Sequence, residues 1–264
     1  MPRQTIADVD PRSRRVQYVL SCLVLIVLFM SSAQANPWET LAPGVEYRDV
    51  GVNLLTPWSH VHVFRIDLTK NKLDLITAKE INRSQASVDQ FAHRAQALIA
   101  INGGFFDKNY HPLGLRIGHH HSYSPLKQIS WWGVFYVLDH VPHLSGFSHY
   151  SPDQSIDFAV QSGPRLLVKG TIPPLKPGHA ERTALGITHD GRLIMLVTDH
   201  AFMTTTELAR LMKSFPLYCV DALNLDGGSS SQLYAHMGAF QLNAHGFSDV
   251  SDAIVIKPLG HDSH

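Results

Sequence analysis

Three short apolar runs constrain this chain more than any other feature. Residues 98–101, 193–197 and 220–225 each break off at a polar residue. Runs this short, bounded by turn residues, read as buried strands rather than helices. The first leads into Asn102-Gly103-Gly104-Phe105-Phe106-Asp107, the second into Thr198-Asp199, and the third into Asp226-Gly227-Gly228-Ser229-Ser230-Ser231. A Gly-Gly pair frees the backbone for positive φ, so that successive N–H groups converge on an anion or an oxygen-rich ligand. A plain tight turn is the alternative for either pair. In α/β sheets, ligands bind beyond the carboxyl ends of strands. Three such ends meeting in one cleft would account for the identities of Asn102, Asp199 and Asp226.

The first 35 residues are expected to be a leader rather than part of the fold. Arg12, Arg14 and Arg15 form a basic region, residues 19–30 are nearly all apolar, and 31–35 end in a small-x-small site with cleavage expected after Ala35. That is the layout of a secretory signal peptide. The apolar run is shorter than the ~20 residues a spanning helix needs, although an uncleaved anchor is the other reading. The expectation is an exported chain, periplasmic or secreted, with no stable membrane insertion after cleavage and a single domain over residues 36–264. Formal net charge is zero and charged residues make up 17%. With no basic tract or aromatic ladder, no nucleic-acid partner is expected. Of the 2 cysteines, Cys22 falls in the leader, which leaves Cys219 without a disulfide partner. Composition leaves the oligomeric state open.

Elsewhere, residues 61–68 and 73–77 read as a hairpin around Lys70-Asn71-Lys72. The alternation in 61–68 changes phase, which predicts a bulge or burial on both faces. Further strands are expected at 131–138, 158–161, 185–188 and 253–257. Two helices carry start signals: Ser87 with Gln90, and Thr204 with Glu207, each in the pattern of a capping box. Apolar residues follow at helical spacing, and Pro216 stops the second helix. Many strands with few helices predict an α+β (mixed α/β) domain of multi-stranded sheets with a few packed helices.

Arg182 opens the strand-like Arg182-Thr183-Ala184-Leu185-Gly186, and its planar fork suits a phosphate or a carboxylate. Gln161 precedes another polar turn. Taken in order, the segments 101–107, 112–115, 161–167, 182–188, 196–199 and 223–230 resemble the phosphodiester glycosidase family, over about residues 80–257. This family includes a lysosomal uncovering enzyme and exported bacterial proteins tied to exopolysaccharide. The resemblance implies hydrolysis of a sugar-1-phosphodiester on the sugar side of the phosphate. It carries over Asn102, Arg182, Asp199 and Asp226 as catalytic residues, with Glu80 as the upstream acid. Gly103, Gly104, Gln161, Gly227, Gly228, Ser229 and Ser230 are expected to contact substrate. The chain departs from the family pattern at His200, where a glycine is common, and at His119-His120-His121, which replaces an Asp-Gly turn.

A phosphate monoester is a good leaving group, so the main demand is stabilisation of developing negative charge, which Arg182 and glycine-turn N–H groups suit. Asp226 or Asp199 would activate water or stabilise the oxocarbenium-like centre. Carboxylates and carbonyls near Asp226 offer a site for Ca²⁺ or Mg²⁺, whereas three adjacent histidines lack zinc-ligand spacing. Two other functions stay open at this point: a metal-dependent phosphodiesterase that breaks the P–O bond, and a non-catalytic glycan-binding or polysaccharide-assembly protein.

Overall fold

The computed structural model describes residues 37–51, 56–152 and 155–260; the expected leader, residues 1–35, lies outside them. In chain order the strands are β1 (Glu39–Ala42), β2 (Val45–Asp49), β3 (His60–Ile66), β4 (Asn71–Thr77), β5 (Ile99–Asn102), β6 (Arg116–Gly118), β7 (His121–Ser124), β8 (Gly133–Leu138) and β9 (Val141–Gly146). They continue as β10 (Phe158–Ser162), β11 (Arg165–Leu167), β12 (Thr183–Thr188), β13 (Leu193–Asp199), β14 (Cys219–Asn224), β15 (Leu233–Met237), β16 (Phe240–Ala244) and β17 (Asp252–Pro258). The two α-helices are α1 (Val88–Ala95) and α2 (Thr205–Lys213).

The strands form three sheets, ordered β1-β2-β3-β13-β12-β14-β11, β7-β6-β10-β8-β9 and β16-β15-β5-β17-β4. The pairings are antiparallel. The protein is therefore mostly β: the expected multi-stranded sheets with a few packed helices are present, and only the helical share is smaller than an α+β (mixed α/β) class suggests. The two helices that carry start signals in the sequence take up only 8 and 9 residues. One core lies among all three sheets. Phe64, Leu185 and Leu223 come from the first, Phe135 and Phe158 from the second, and Leu75, Ile101 and Ile254 from the third. α2 covers the other face of the first sheet through Leu208 and Met212, and α1 covers the third through Phe91 and Ala92. Strands covered on both faces lose polar alternation, which is why β5, β12 and β13 read as continuous apolar runs.

β3 shows the same cause. Its phase change reflects burial on both faces, and its register with β13 runs unbroken from His60↔Asp199 to Ile66↔Leu193. The Thr204–Glu207 capping box is present, with Thr204 Oγ1 accepting the Glu207 N–H at 3.1 Å. Ser87 differs from expectation. It occupies the N-cap position of α1 but makes no capping bond, and its hydroxyl turns to Asp89. Gln232, from a distant loop, accepts the Val88 N–H instead at 3.1 Å. The expected strand at 131–138 begins only at Gly133; Trp131 lies outside it and exposed, while Trp132 is buried. His119 and His120, at φ +50° and +57°, form the two-residue loop between β6 and β7. That backbone favours Asn-Gly or Asp-Gly; here the histidines occupy the hairpin loop and also reach acids, His119 Nδ1 lying 3.0 Å from Asp74 Oδ2 and His120 Nε2 2.6 Å from Asp157 Oδ1.

Candidate active site

Because the sheets are antiparallel, the edge that bears the site mixes strand ends with strand starts. Asn102 ends β5, Asp199 ends β13 and Asn224 ends β14, while Thr183 opens β12 and Asp252 opens β17. The rule about carboxyl ends of parallel strands therefore does not apply to this edge, because antiparallel pairing sets strand starts beside strand ends. Asn102 is fully buried and ties the edge together. Its Nδ2 donates to the Asp226 carbonyl at 2.9 Å, and its Oδ1 accepts from the Thr183 hydroxyl at 2.7 Å and the Gln232 N–H at 3.2 Å. The two Gly-Gly segments meet here, with the Asp226 N–H donating to the Gly103 carbonyl at 3.3 Å.

The glycines serve two different needs. Gly228 has φ +61°, the left-handed region that favours glycine. Gly103 and Gly104 have no positive φ; they admit a close approach. A side chain at Gly103 would strike the Asp252 carboxylate, and one at Gly104 would come within 2.5 Å of Arg116 Nη2. Sequence reasoning missed both of these partners. Arg116 and Asp252 are fully buried and ion-paired, Nε to Oδ1 at 3.1 Å. Arg116 also donates to the carbonyls of Phe105, Leu115 and Gln161, so one guanidinium holds the 103–115 loop against β10. The Gln161 side chain is spent on the same task. Its Oε1 accepts the N–H groups of Leu115 and Lys127, and its Nε2 donates to the Lys127 carbonyl.

Asp226 is half-buried. Desolvation raises its carboxyl above the ordinary value, and the nearby Asp252 adds to the rise. The Ser230 hydroxyl, the Gly227 N–H and the Arg116 charge oppose the shift without cancelling it. Arg182 lies alongside on the neighbouring chain segment: Leu225 N–H donates to the Thr183 carbonyl at 2.9 Å, and Gly228 N–H to the Glu181 carbonyl at 2.8 Å. Its Nε donates to the Met203 carbonyl at 2.8 Å and its Nη2 to the Gly178 carbonyl. Nη1 is left uncommitted among the described residues. Burial lowers the Arg182 pKa.

Asp199 meets Glu181 across the β12–β13 edge. Its Oδ1 lies 2.6 Å from His200 Nδ1, and the His200 N–H donates to Glu181 Oε1 at 2.9 Å. One ligand atom from each of Glu181, Asp199 and His200 falls within 4.8 Å of the others. His200 has φ +53°, which explains physically why glycine suits this position. Two carboxylates with an imidazole match Zn²⁺ or Mn²⁺ better than Ca²⁺, which prefers an all-oxygen shell. Glu80 stands apart, its Oε2 accepting from the Thr77 N–H at 2.7 Å and the Thr77 hydroxyl at 2.9 Å. Ser229 is exposed, and its carbonyl accepts the Phe247 and Ser248 N–H groups.

A cavity of about 590 Å³ opens beside this edge, lined by Phe105, Trp131, Gly163, Arg182, Thr205 and Asn224 and walled by Pro174–Ala180. Asn224 Nδ2 donates to the Gly163 and Leu225 carbonyls, while its Oδ1 is buried without a partner among the described residues. Buried Ser162 Oγ and Trp132 Nε1 are also unpartnered there, and Gly163 packs on the Trp132 ring. Unpaired buried polar atoms are uncommon, and each requires a reason.

Fold and site together define an antiparallel three-sheet protein whose polar strand edge borders a pocket. A family model described as phosphodiester glycosidase (NAGPA) matches residues 95–257, and the chain belongs to that family. It is 29% identical over 171 residues to the uncharacterized protein YigE of Escherichia coli K12, a match covering 58% of this chain and 64% of YigE. The chain thus spans less than two thirds of that curated relative. Among solved structures, the fold resembles the catalytic domain of zebrafish N-acetylglucosamine-1-phosphodiester alpha-N-acetylglucosaminidase, auto-inhibited by its pro-peptide. That comparison has a TM-score of 0.58 and 19% identity, over 84% of this chain and 86% of that one. A Synechocystis protein gives a TM-score of 0.57 at 17% identity, over 85% of this chain and 64% of its own.

Proposed function

We propose that the protein is an exported hydrolase that cleaves a sugar-1-phosphodiester at the glycosidic C–O bond, releasing the sugar and a phosphate monoester. The observation that carries this reading is the adjacency of Asp226 and Arg182 on neighbouring chain segments beside a pocket that Arg182 and Asn224 line. Water attacks the anomeric carbon, the C–O bond breaks, and the electron pair leaves with the phosphate oxygen. Arg182 Nη1 faces the growing charge on that oxygen; its other two nitrogens, fixed on carbonyls, hold the fork in place before the reaction begins. Asp226 accepts the proton of the attacking water. Its raised pKa makes it a stronger base once ionised. Asn102 sets the Asp226 backbone, and Asn224, fixed through Nδ2 on the Gly163 and Leu225 carbonyls, forms part of the pocket wall. Gly103, Gly104, Gln161 and Glu80 act as structural supports in this scheme. Export rests on the leader-like sequence; among the described residues no helix is long and apolar enough to cross a membrane.

The Glu181–Asp199–His200 cluster favours a second reading, a metal-assisted phosphodiesterase. Turnover of a panel of sugar-1-phosphodiesters in ¹⁸O-water separates the two. Label in the sugar, with turnover lost in both Asp226→Asn and Arg182→Ala and retained in EDTA, supports the glycosidase. Label in the phosphate, or wild-type rates in either variant, overturns it.

A further inference from the structure

A second cavity, of about 420 Å³, lies where the tip of the 103–113 loop faces the turn after β4 and the strand β7. The loop contributes Phe105 to the first cavity and Tyr110 and His111 to this one. Lys79, Arg83, His111 and His121 line it together with Tyr110 and Tyr123. Four nitrogenous bases around a single hollow, with no acid in its lining, is an uneven distribution for a chain of zero formal net charge. The acids close to it in sequence are already engaged. Glu80 accepts from Thr77 and from Tyr123. Asp107 caps its own loop through the Asn109 and His111 N–H groups and lies 3.2 Å from the His111 ring. Lys79 and Arg83 are exposed and enter no ion pair among the described residues. The only side-chain bond of Arg83 there is a long one, 3.5 Å, to Gln90.

We infer that this cavity binds an anionic segment of a glycan, its phosphate or carboxylate between Lys79 and Arg83 and its sugar ring against Tyr110 or Tyr123. Guanidinium and ammonium groups give charge-assisted bonds to such anions. Each tyrosine presents an apolar ring with a polar tip, a surface suited to a sugar ring. Tyr110 is held by stacking on Phe106 and Tyr123 by His121, with ring centroids 5.1 and 4.8 Å apart. The hollow is the size of a few sugar rings, far smaller than the extended basic tracks that nucleic acids require. The inference goes beyond the proposed hydrolysis, since it concerns a separate cavity and holds whether or not the first one turns substrate over.

The test is calorimetric titration at pH 7 of the protein with trigalacturonate, a phosphorylated maltotriose, neutral maltotriose and a short oligothymidylate. Binding of either anionic sugar, no binding of maltotriose, and a tenfold or greater loss of affinity in the double variant Lys79→Ala/Arg83→Ala at unchanged Tm support the site. The exchanged pair Lys79→Arg/Arg83→Lys should retain binding. Whichever anionic sugar binds more tightly identifies carboxylate or phosphate as the preferred group. Equal affinity for maltotriose, wild-type affinity in the alanine double variant, tighter binding of the oligothymidylate, or no binding of either anionic sugar overturns the inference.

Discussion

Gly103→Ala tests whether the Asn-Gly-Gly segment is a close-approach device. The added methyl carbon would stand 2.8 Å from Asp252 Cγ, whereas carbon atoms rest at ~3.5–4.0 Å. Asp252 Oδ1 lies closer still, so one side must move by at least ~1 Å. Asp252 has little room, because Arg116 Nε holds one oxygen at 3.1 Å and the Ser251 hydroxyl the other at 2.6 Å. Its backbone is locked in β17, where it faces Thr77 of β4. Overpacking alone costs ~1–3 kcal/mol, and parting a fully buried ion pair costs ~3–5 kcal/mol. A loss of ~4 kcal/mol lowers Tm by roughly 8–16 °C in a domain of this size. Gly238→Ala is the control. It has φ +58° with nothing within 4 Å of the added carbon, so only left-handed backbone strain of ~1 kcal/mol applies. Thermal unfolding of both variants by circular dichroism decides the matter. Equal Tm losses would refute the close-approach argument and return Gly103 to the role of an ordinary turn glycine.

Two further outcomes follow from the geometry. Asp226 has a folded-state pKa above its unfolded value, so the folded form is favoured while the carboxyl is protonated and loses that advantage as pH rises through the folded pKa. Asp226→Asn should therefore raise Tm relative to wild type at pH 7 while abolishing turnover, with the gain shrinking toward pH 4; a Tm gap that widens in acid contradicts the burial argument. At the helices, Thr204→Ala should cost ~1 kcal/mol by chemical denaturation. Ser87→Ala should cost clearly less, because Ser87 makes no capping bond; equal costs would show that the Ser87 hydroxyl caps α1 after all.

Much of this fold was legible because burial writes itself locally. β5, β13 and β14 are covered on both faces at their centres, so their sequences are apolar runs with abrupt polar ends, and those ends carry or lead into the candidate residues Asn102, Asp199 and Asp226. Sheet order was not legible. Which strands become neighbours depends on contacts between distant residues, and strong local signals at two helices suggested more helix than three antiparallel sheets hold. The Arg116–Asp252 pair was invisible for the same reason. The two residues are 136 positions apart, and nothing near either one separates a buried charge from a surface charge. Glu181 meets Asp199 and His200 only through the pairing of β12 with β13, which no local pattern announces. Strand alternation then explains why neighbouring motif residues do different work. Thr183 turns toward Asn102 and Ser231, while Arg182 turns to the Met203 and Gly178 carbonyls at the cavity. Leu225 packs in the core while Asn224, one residue earlier, lines that cavity. A motif read as one chemical unit is thus two interleaved sets, one that fixes the edge and one that faces the pocket. The register Ala184↔Asn224 and Leu185↔Leu223 keeps both sets aligned across β12 and β14.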